Sequence, residues 1–125
     1  MSDARPVYLA GPIQGCTDSE ATDWRDAARM MIRGDILNPM ARDYRGREHE
    51  NVSDIVEGDK ADIRKCRAVL AYCPRPSVGT SMEIQYAWSL HIPVVTVVPS
   101  GPVSPWLRYH SIGVFRDLAA AIASL

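Results

Sequence analysis

A chain of 125 residues with 46% hydrophobic and 23% charged side chains has the composition of one globular domain around one core, with little surplus for a second. A net charge of −1 without a basic stripe argues against long nucleic acid as a partner, but leaves room for a small anionic ligand that needs only local donors. Residues 1–6 lack the apolar core of a signal peptide, and the longest apolar run, residues 92–98, is too short to span a membrane. Cys16, Cys66 and Cys73 have no metal-ligand spacing, so reduced thiols in a cytoplasmic protein are expected.

Residues 6–10 read as a short buried strand that runs into Gly11. Thr17 and Glu20 stand at capping-box spacing. Trp24, Ala27, Ala28, Met31 and Ile32 then fall on one helical face, and Gly34 is placed to end that helix. Residues 35–38 form a second short strand, stopped by Pro39. Residues 40–51 are polar and irregular, and a loop of that length in a compact domain is often functional. A second helix is expected over residues 53–65, a third strand over 68–72, and a third helix over 81–90 after the turn 73–79. Residues 93–98, rich in β-branched side chains, are the cleanest strand. Residues 100–111 read as a loop interrupted by Pro102 and Pro105, and residues 112–115 as a last strand. Leu118, Ala121, Ile122 and Leu125 mark an amphipathic final helix.

Strands alternating with helices predict an α/β fold with a parallel sheet and helices on both faces. For five strands the expected order is 2-1-3-4-5, the flavodoxin-like (Rossmann-like) arrangement. The chain then leaves strands one and three in opposite directions, and ligands bind at that switch point, beyond the carboxyl ends of the strands. The loops there are residues 11–16 and 74–80.

Three features near those loops carry chemistry. Glu83 is expected in the first turn of the third helix, facing the crevice, although Thr80 and Glu83 also have the spacing of an ordinary capping box. Asp59 lies between Ile55 and Ile63 on one stripe of the second helix. If that stripe is buried, the carboxyl is suited to exchange a proton near neutral pH; if the stripe drifts, Asp59 sits at a solvated edge with Lys60 and Asp62. The turn Gly11-Pro12-Ile13-Gln14-Gly15 either brings backbone amides close to a ligand or simply joins strand to helix. Tyr8, in the first strand, either points its hydroxyl into the crevice or packs half-buried. Ser77 and Ser81 flank Gly79, where they donate to an anion or cap the helix. His49, His91 and His110 have no partner spacing and are assigned no role.

In combination these segments resemble the nucleoside 2-deoxyribosyltransferases and their relatives, the deoxynucleoside 5'-monophosphate N-glycosidases and CMP-type nucleotide hydrolases. The resemblance runs from Tyr8 to about Ser104: residues 7–13, then Asp59 with Ile63, then residues 68–72, then Gly79-Thr80-Ser81-Met82-Glu83-Ile84-Gln85-Tyr86-Ala87, its most specific part. It implies a flavodoxin-like fold and covalent chemistry without metal or organic cofactor. Glu83 matches the glutamate that attacks C1' of the sugar, Asp59 the aspartate that handles the leaving base's proton, and Tyr8 the tyrosine that positions the nucleophile. Gly11, Ile13, Gln14, Ser77, Gly79, Ser81, Ser104, Arg42 and Arg45 are then expected around the substrate.

Ser77 matches a phosphate-binding serine of the N-glycosidases, and Ser104 a serine that they supply from a neighbouring subunit. Both imply a 5'-monophosphate substrate and a homodimer or higher homo-oligomer, with Trp106 as an interface anchor or, alternatively, as a lid on the core under its loop. The N-glycosidases carry Ser-Ile-Arg where this chain has Pro12-Ile13-Gln14, so Arg42, Arg45 or Arg47 has to replace the missing arginine. Arg67 stands where the family commonly has an acidic residue. Two other readings remain. One is a catalytically silent nucleotide-binding module on the same fold, against which the joint presence of Tyr8, Asp59 and Glu83 weighs. The other is a cytokinin-type phosphoribohydrolase, whose Pro-Gly-Gly turn is replaced here by Arg75-Pro76-Ser77-Val78-Gly79.

Overall fold

A computed structural model describes residues 3–125. Met1 and Ser2, the start of the segment read as lacking a leader, lie outside the described residues. The elements in chain order are β1 (Val7–Ala10), α1 (Asp18–Met31), β2 (Ile36–Leu37), α2 (Val52–Lys65), β3 (Ala68–Tyr72), α3 (Val78–Ser89), β4 (Val94–Val97), α4 (Pro105–Tyr109), β5 (Gly113–Phe115) and α5 (Leu118–Ala123). The strands form one parallel sheet in the expected order β2-β1-β3-β4-β5. Tyr8 pairs with Leu37 on one side and Val69 on the other, so it lies inside the sheet and not at its edge.

Alternation along the strands divides the core into two layers. Tyr8, Ala10, Val69, Ala71 and Val94 face α2 and α3, where Ile63, Ile84 and Ala87 meet them. Val7, Leu9, Leu70, Val95 and Val97 face α1 and α5, where Trp24, Ala28 and Ala121 meet them. Covering both faces is what a parallel sheet requires. No helix among the described residues is long and apolar enough to cross a membrane.

Five local expectations are corrected or refined. In α1 the buried stripe is Ala21, Trp24, Arg25 and Ala28, continued by Ile32, while Ala27 and Met31 are exposed. An arginine occupies a place the pattern reserves for an apolar side chain, so the stripe is rotated from the one expected. Helix α3 starts earlier than residue 81, because Ser77 rather than Thr80 is its N-cap and accepts from the Thr80 amide. Glu83 therefore stands in the second turn of α3, not the first. The loop expected over residues 100–111 contains α4, because Pro105 occupies the first helical position and Ser104 caps it by accepting from the Trp106 amide. Trp106 does not close the core: it is 75% exposed. The long loop 40–51 is tightened by 3-10 turns at Pro39–Ala41 and Glu48–Glu50.

Candidate active site

The carboxyl ends of β1 and β3 open into a cavity of about 810 Å³. Its walls come from the turn after β1, the loop before α2, one face of α2, the loop after β3 and α3 as far as Tyr86. The walls are mostly apolar, including Ile13, Val52, Ile55, Val56, Met82 and Tyr86, and a few polar groups converge among them. That is the usual build of a small-molecule site.

Glu83 and Asp59 both line this cavity, from α3 and α2 respectively. Tyr8 lies beneath it, fully buried in β1, and its hydroxyl donates to Oε2 of Glu83. Burial pushes the Glu83 carboxyl up to about 8; the Tyr8 hydroxyl opposes the rise, Asp59 adds to it, and the charge of Arg25 opposes it. Burial also raises Asp59, partly offset by Arg42. Tyr8 is held as a phenol, first by burial and then by the charges of Glu83 and Asp59, so it remains a hydrogen-bond donor across the physiological range. The site thus gathers two carboxyls of raised pKa around one buried hydroxyl, an arrangement able to hold, release and accept protons near neutrality. Asp59 falls between its two sequence readings: its side chain faces the cavity but is 23% exposed, and it shares Arg42 with Asp62.

Gly11, Ile13, Gln14, Ser77 and Gly79 also line the cavity. The glycine at position 11 is dictated by packing: a Cβ there would stand 2.5 Å from Cζ2 of Trp24. Gly79 is different, because a Cβ there would meet nothing within 4 Å and would project into open space at the α3 N-terminus. Ser77 both caps α3 and exchanges a hydrogen bond of 2.9 Å with the Thr80 hydroxyl. Ser81 is exposed and lies outside the cavity lining, and Ser104 lies outside the lining of its own chain's cavity.

Two of the three arginines of the long loop are engaged by carboxylates. Arg42 reaches Asp59 at 3.2 Å and Asp62 at 2.9 Å, so it ties the loop to α2. Arg45 pairs with Asp43 at 2.7 Å and with Asp18 at the start of α1. Arg47 donates to the Asp43 carbonyl and lies over the Tyr44 ring, outside the lining. Sequence reasoning missed Arg75 and Lys60, which line the cavity; Lys60 lies 5.2 Å over the ring of Tyr86. It also passed over His49, exposed at the cavity rim. Above all it missed Arg25, whose signal was a charge on the same face as Ala21 and Ala28.

Among the described residues no group of three or more His, Cys, Asp or Glu side chains is placed to hold a metal ion. Cys66 and Cys73 are buried free thiols, and burial pushes Cys73 up to about 12, where it stays protonated.

The sequence profile of the nucleoside 2-deoxyribosyltransferases matches residues 7–104. The chain belongs to that family. No curated protein sequence matches it significantly. Among solved structures it is similar to the 2-deoxyribosyltransferase of Bacillus psychrosaccharolyticus, with a TM-score of 0.72 and 16% identity over 90% of this chain and 86% of that one. It is also similar to the CMP N-glycosidase BcmB of Clostridium botulinum, with a TM-score of 0.62 and 12% identity over 96% and 97% of the two chains. A conserved protein of Enterococcus faecalis V583 gives a TM-score of 0.60 and 18% identity over 76% and 64%. At such identities the structures attest a shared fold, and the family profile carries the membership. All of Tyr8, Asp59, Ser77 and Glu83 fall inside the stretch that the deoxyribosyltransferase profile matches.

Proposed function

We propose that this deoxyribosyltransferase-family protein cleaves the N-glycosidic bond of a (deoxy)nucleoside or its 5'-monophosphate through a covalent glycosyl–Glu83 intermediate. The observation that carries the reading is the Tyr8–Glu83 hydrogen bond at the floor of a cavity that Asp59 also lines. Tyr8 holds one carboxylate oxygen and leaves Oε1 to attack. As C1' bonds to Oε1, the C1'–N bond breaks, its electron pair passes to the base nitrogen, and the Asp59 carboxyl delivers a proton to the base. Water or a second base then attacks C1', Asp59 takes back a proton, and the Glu83 carboxylate leaves. The division of labour is that of retaining glycosidases. It requires Glu83 as the carboxylate and Asp59 as the acid when the bond breaks; burial raises both carboxyls, and the charge of Arg25 opposes the rise at Glu83.

The α3 N-terminus favours a monophosphate over a nucleoside. Its first-turn amides, Ser77 and the open space at Gly79 suit an anion. Arg42 and Arg45, drawn off by carboxylates, are not part of this support, and they accept a phosphate only by exchanging partners. A homo-oligomer follows from the same reading: Ser104 needs a neighbouring chain to meet a substrate, and Trp106 and Tyr109 beside it are 75% and 70% exposed.

The test is incubation of the purified protein with deoxynucleosides, ribonucleosides and their 5'-monophosphates, with and without a free acceptor base, followed by chromatography. Free base, or an exchanged nucleoside when acceptor is present, is expected. If no substrate of the panel yields either product, the reading fails.

A further inference from the structure

Besides Arg42, which pairs with Asp59, a second positive charge acts on the site from the opposite layer of the fold. Arg25, in the middle of α1, is 1% exposed and is the largest fully buried side chain. Its Nη1 donates to the Ala21 carbonyl at 2.6 Å, and its Nη2 donates to the Gly11 carbonyl at 3.0 Å. Its Nε is buried without a partner, and its guanidinium carbon lies 4.6 Å from the ring centroid of Trp24. Among the described residues it forms no ion pair within 4.0 Å.

A guanidinium in such a place is costly, because only two carbonyls replace its water. A leucine or methionine would fill the same space between Ala21, Trp24 and Ala28 without that cost. Burial lowers Arg25 to about 10, so it is still a cation at neutral pH; Glu83 is the strongest influence against the fall, followed by Tyr8, Cys16 and Asp59. From the other direction, Arg25 is the one cation that holds down the carboxyl of Glu83. The groups facing Glu83 are thus Tyr8 from β1, Asp59 from α2 and Arg25 from α1, with Arg42 and Asp62 acting on Asp59 behind them.

We propose that Arg25 is a positioning residue: buried in α1, it clamps the Gly11 carbonyl, fixing the turn that borders the cavity, and it sets a permanent positive charge beneath that turn. The kinetic part of this inference rests on the reaction proposed above. In the first step the charge favours ionisation of the nucleophile against the effect of burial. In the second it favours the departure of Glu83 as a carboxylate when the glycosyl ester breaks.

The experiment compares wild type, Arg25→Met and Arg25→Lys in the full chain. Glutamate labelled with ¹³C at the side-chain carboxyl is titrated by NMR without substrate, and Glu83→Gln assigns the Glu83 signal by its loss. The Glu83 midpoint is expected to rise by about one unit or more in Arg25→Met, a tenfold change in its protonation equilibrium. Arg25→Lys, which keeps a charge but cannot bridge both carbonyls, is expected to hold the midpoint within about half a unit of wild type, less than a fourfold change. The acid limb of kcat/KM is expected to move with the midpoint in each variant. A folded Arg25→Met whose Glu83 midpoint matches wild type overturns the proposal. If Arg25→Met does not fold, Arg25→Lys decides: a retained midpoint with kcat reduced more than KM supports the clamp and the charge, and a full shift or unchanged kinetics overturns them. The titration needs no turnover, so a midpoint that moves in a protein releasing no base leaves this inference standing and removes only the proposed reaction.

Discussion

The Tyr8 hydroxyl donates to Oε2 of Glu83, joining the second residue of β1 to the second turn of α3 across the sheet–helix boundary. Tyr8 is fully buried, so its hydroxyl has no water to turn to. Tyr8→Phe keeps the ring and removes the donor. The loss expected in kcat is about tenfold to a hundredfold, the scale of one charged hydrogen bond of about 1.5–3 kcal/mol. Steady-state kinetics above pH 8 read the effect with Glu83 ionised in wild type. An undiminished kcat in the phenylalanine variant would remove Tyr8 from the mechanism.

Glu83 also makes stability depend on pH. Burial pushes its carboxyl up to about 8 in the folded protein, from an ordinary value of 4.5. Between those values the folded state holds a proton that the unfolded state releases, so this contribution is complete below about 4.5 and is lost as pH rises through about 8. Glu83→Gln has no such proton to lose. The gap in melting temperature between Glu83→Gln and wild type is therefore expected to grow in favour of glutamine from pH 5 to pH 9. Thermal melts across that range check it, and parallel pH dependences for the two proteins would contradict the burial of this carboxyl.

The topology was legible because periodicity and the strand–helix alternation report burial, and burial fixes the sheet. The placement of Glu83 at the switch point followed from that order, and Asp59 was found from its stripe with Ile55 and Ile63. Arg25 was not legible, since a stripe rule assigns arginine to solvent, and what overrides it here is a carbonyl supplied by Gly11 from the end of another element. The partners of Arg42 were hidden for a related reason. An arginine in a polar loop reads as free for a phosphate, and only folding brings Asp59 and Asp62 on α2 within reach of it. The start of α3 was misplaced because Ser77 and Thr80 are both good caps, and the local sequence does not rank them.

Gly11 is held by a steric demand. An alanine there would place its Cβ 2.5 Å from Cζ2 and 3.1 Å from Cε2 of Trp24. The indole is itself stacked on Tyr72 at 5.1 Å, which limits its retreat. Gly11→Ala is expected to cost about 1–3 kcal/mol of stability, the usual range for overpacking. Trp24→Phe makes room for the methyl group, so the double variant is expected to be more stable than the sum of the single effects implies. Denaturant unfolding of the four proteins in the cycle measures this, and strict additivity would mean that the ring and the glycine do not meet.

Arg42 and Asp59 allow the acid to be separated from the nucleophile. Arg42 opposes the burial-driven rise of Asp59, so removing it raises Asp59 further. As the proton donor Asp59 acts in its protonated form, and Arg42→Met is expected to move the basic limb of kcat/KM to higher pH. Gly58 bears on the same contact, because a Cβ there would stand 3.0 Å from Nε of Arg42, and Gly58→Ala is expected to disturb the pair in the same direction. Asp59→Ala removes the proton donor altogether. For an ordinary nucleoside the expected loss is about a hundredfold to ten-thousandfold, the range of general acid catalysis. For a substrate whose leaving base is already electron-poor the loss is expected to be much smaller, because such a base departs without a proton. Comparing the two substrates in wild type and Asp59→Ala decides the role. An equal loss on both would make Asp59 a structural partner of Arg42 and not the acid.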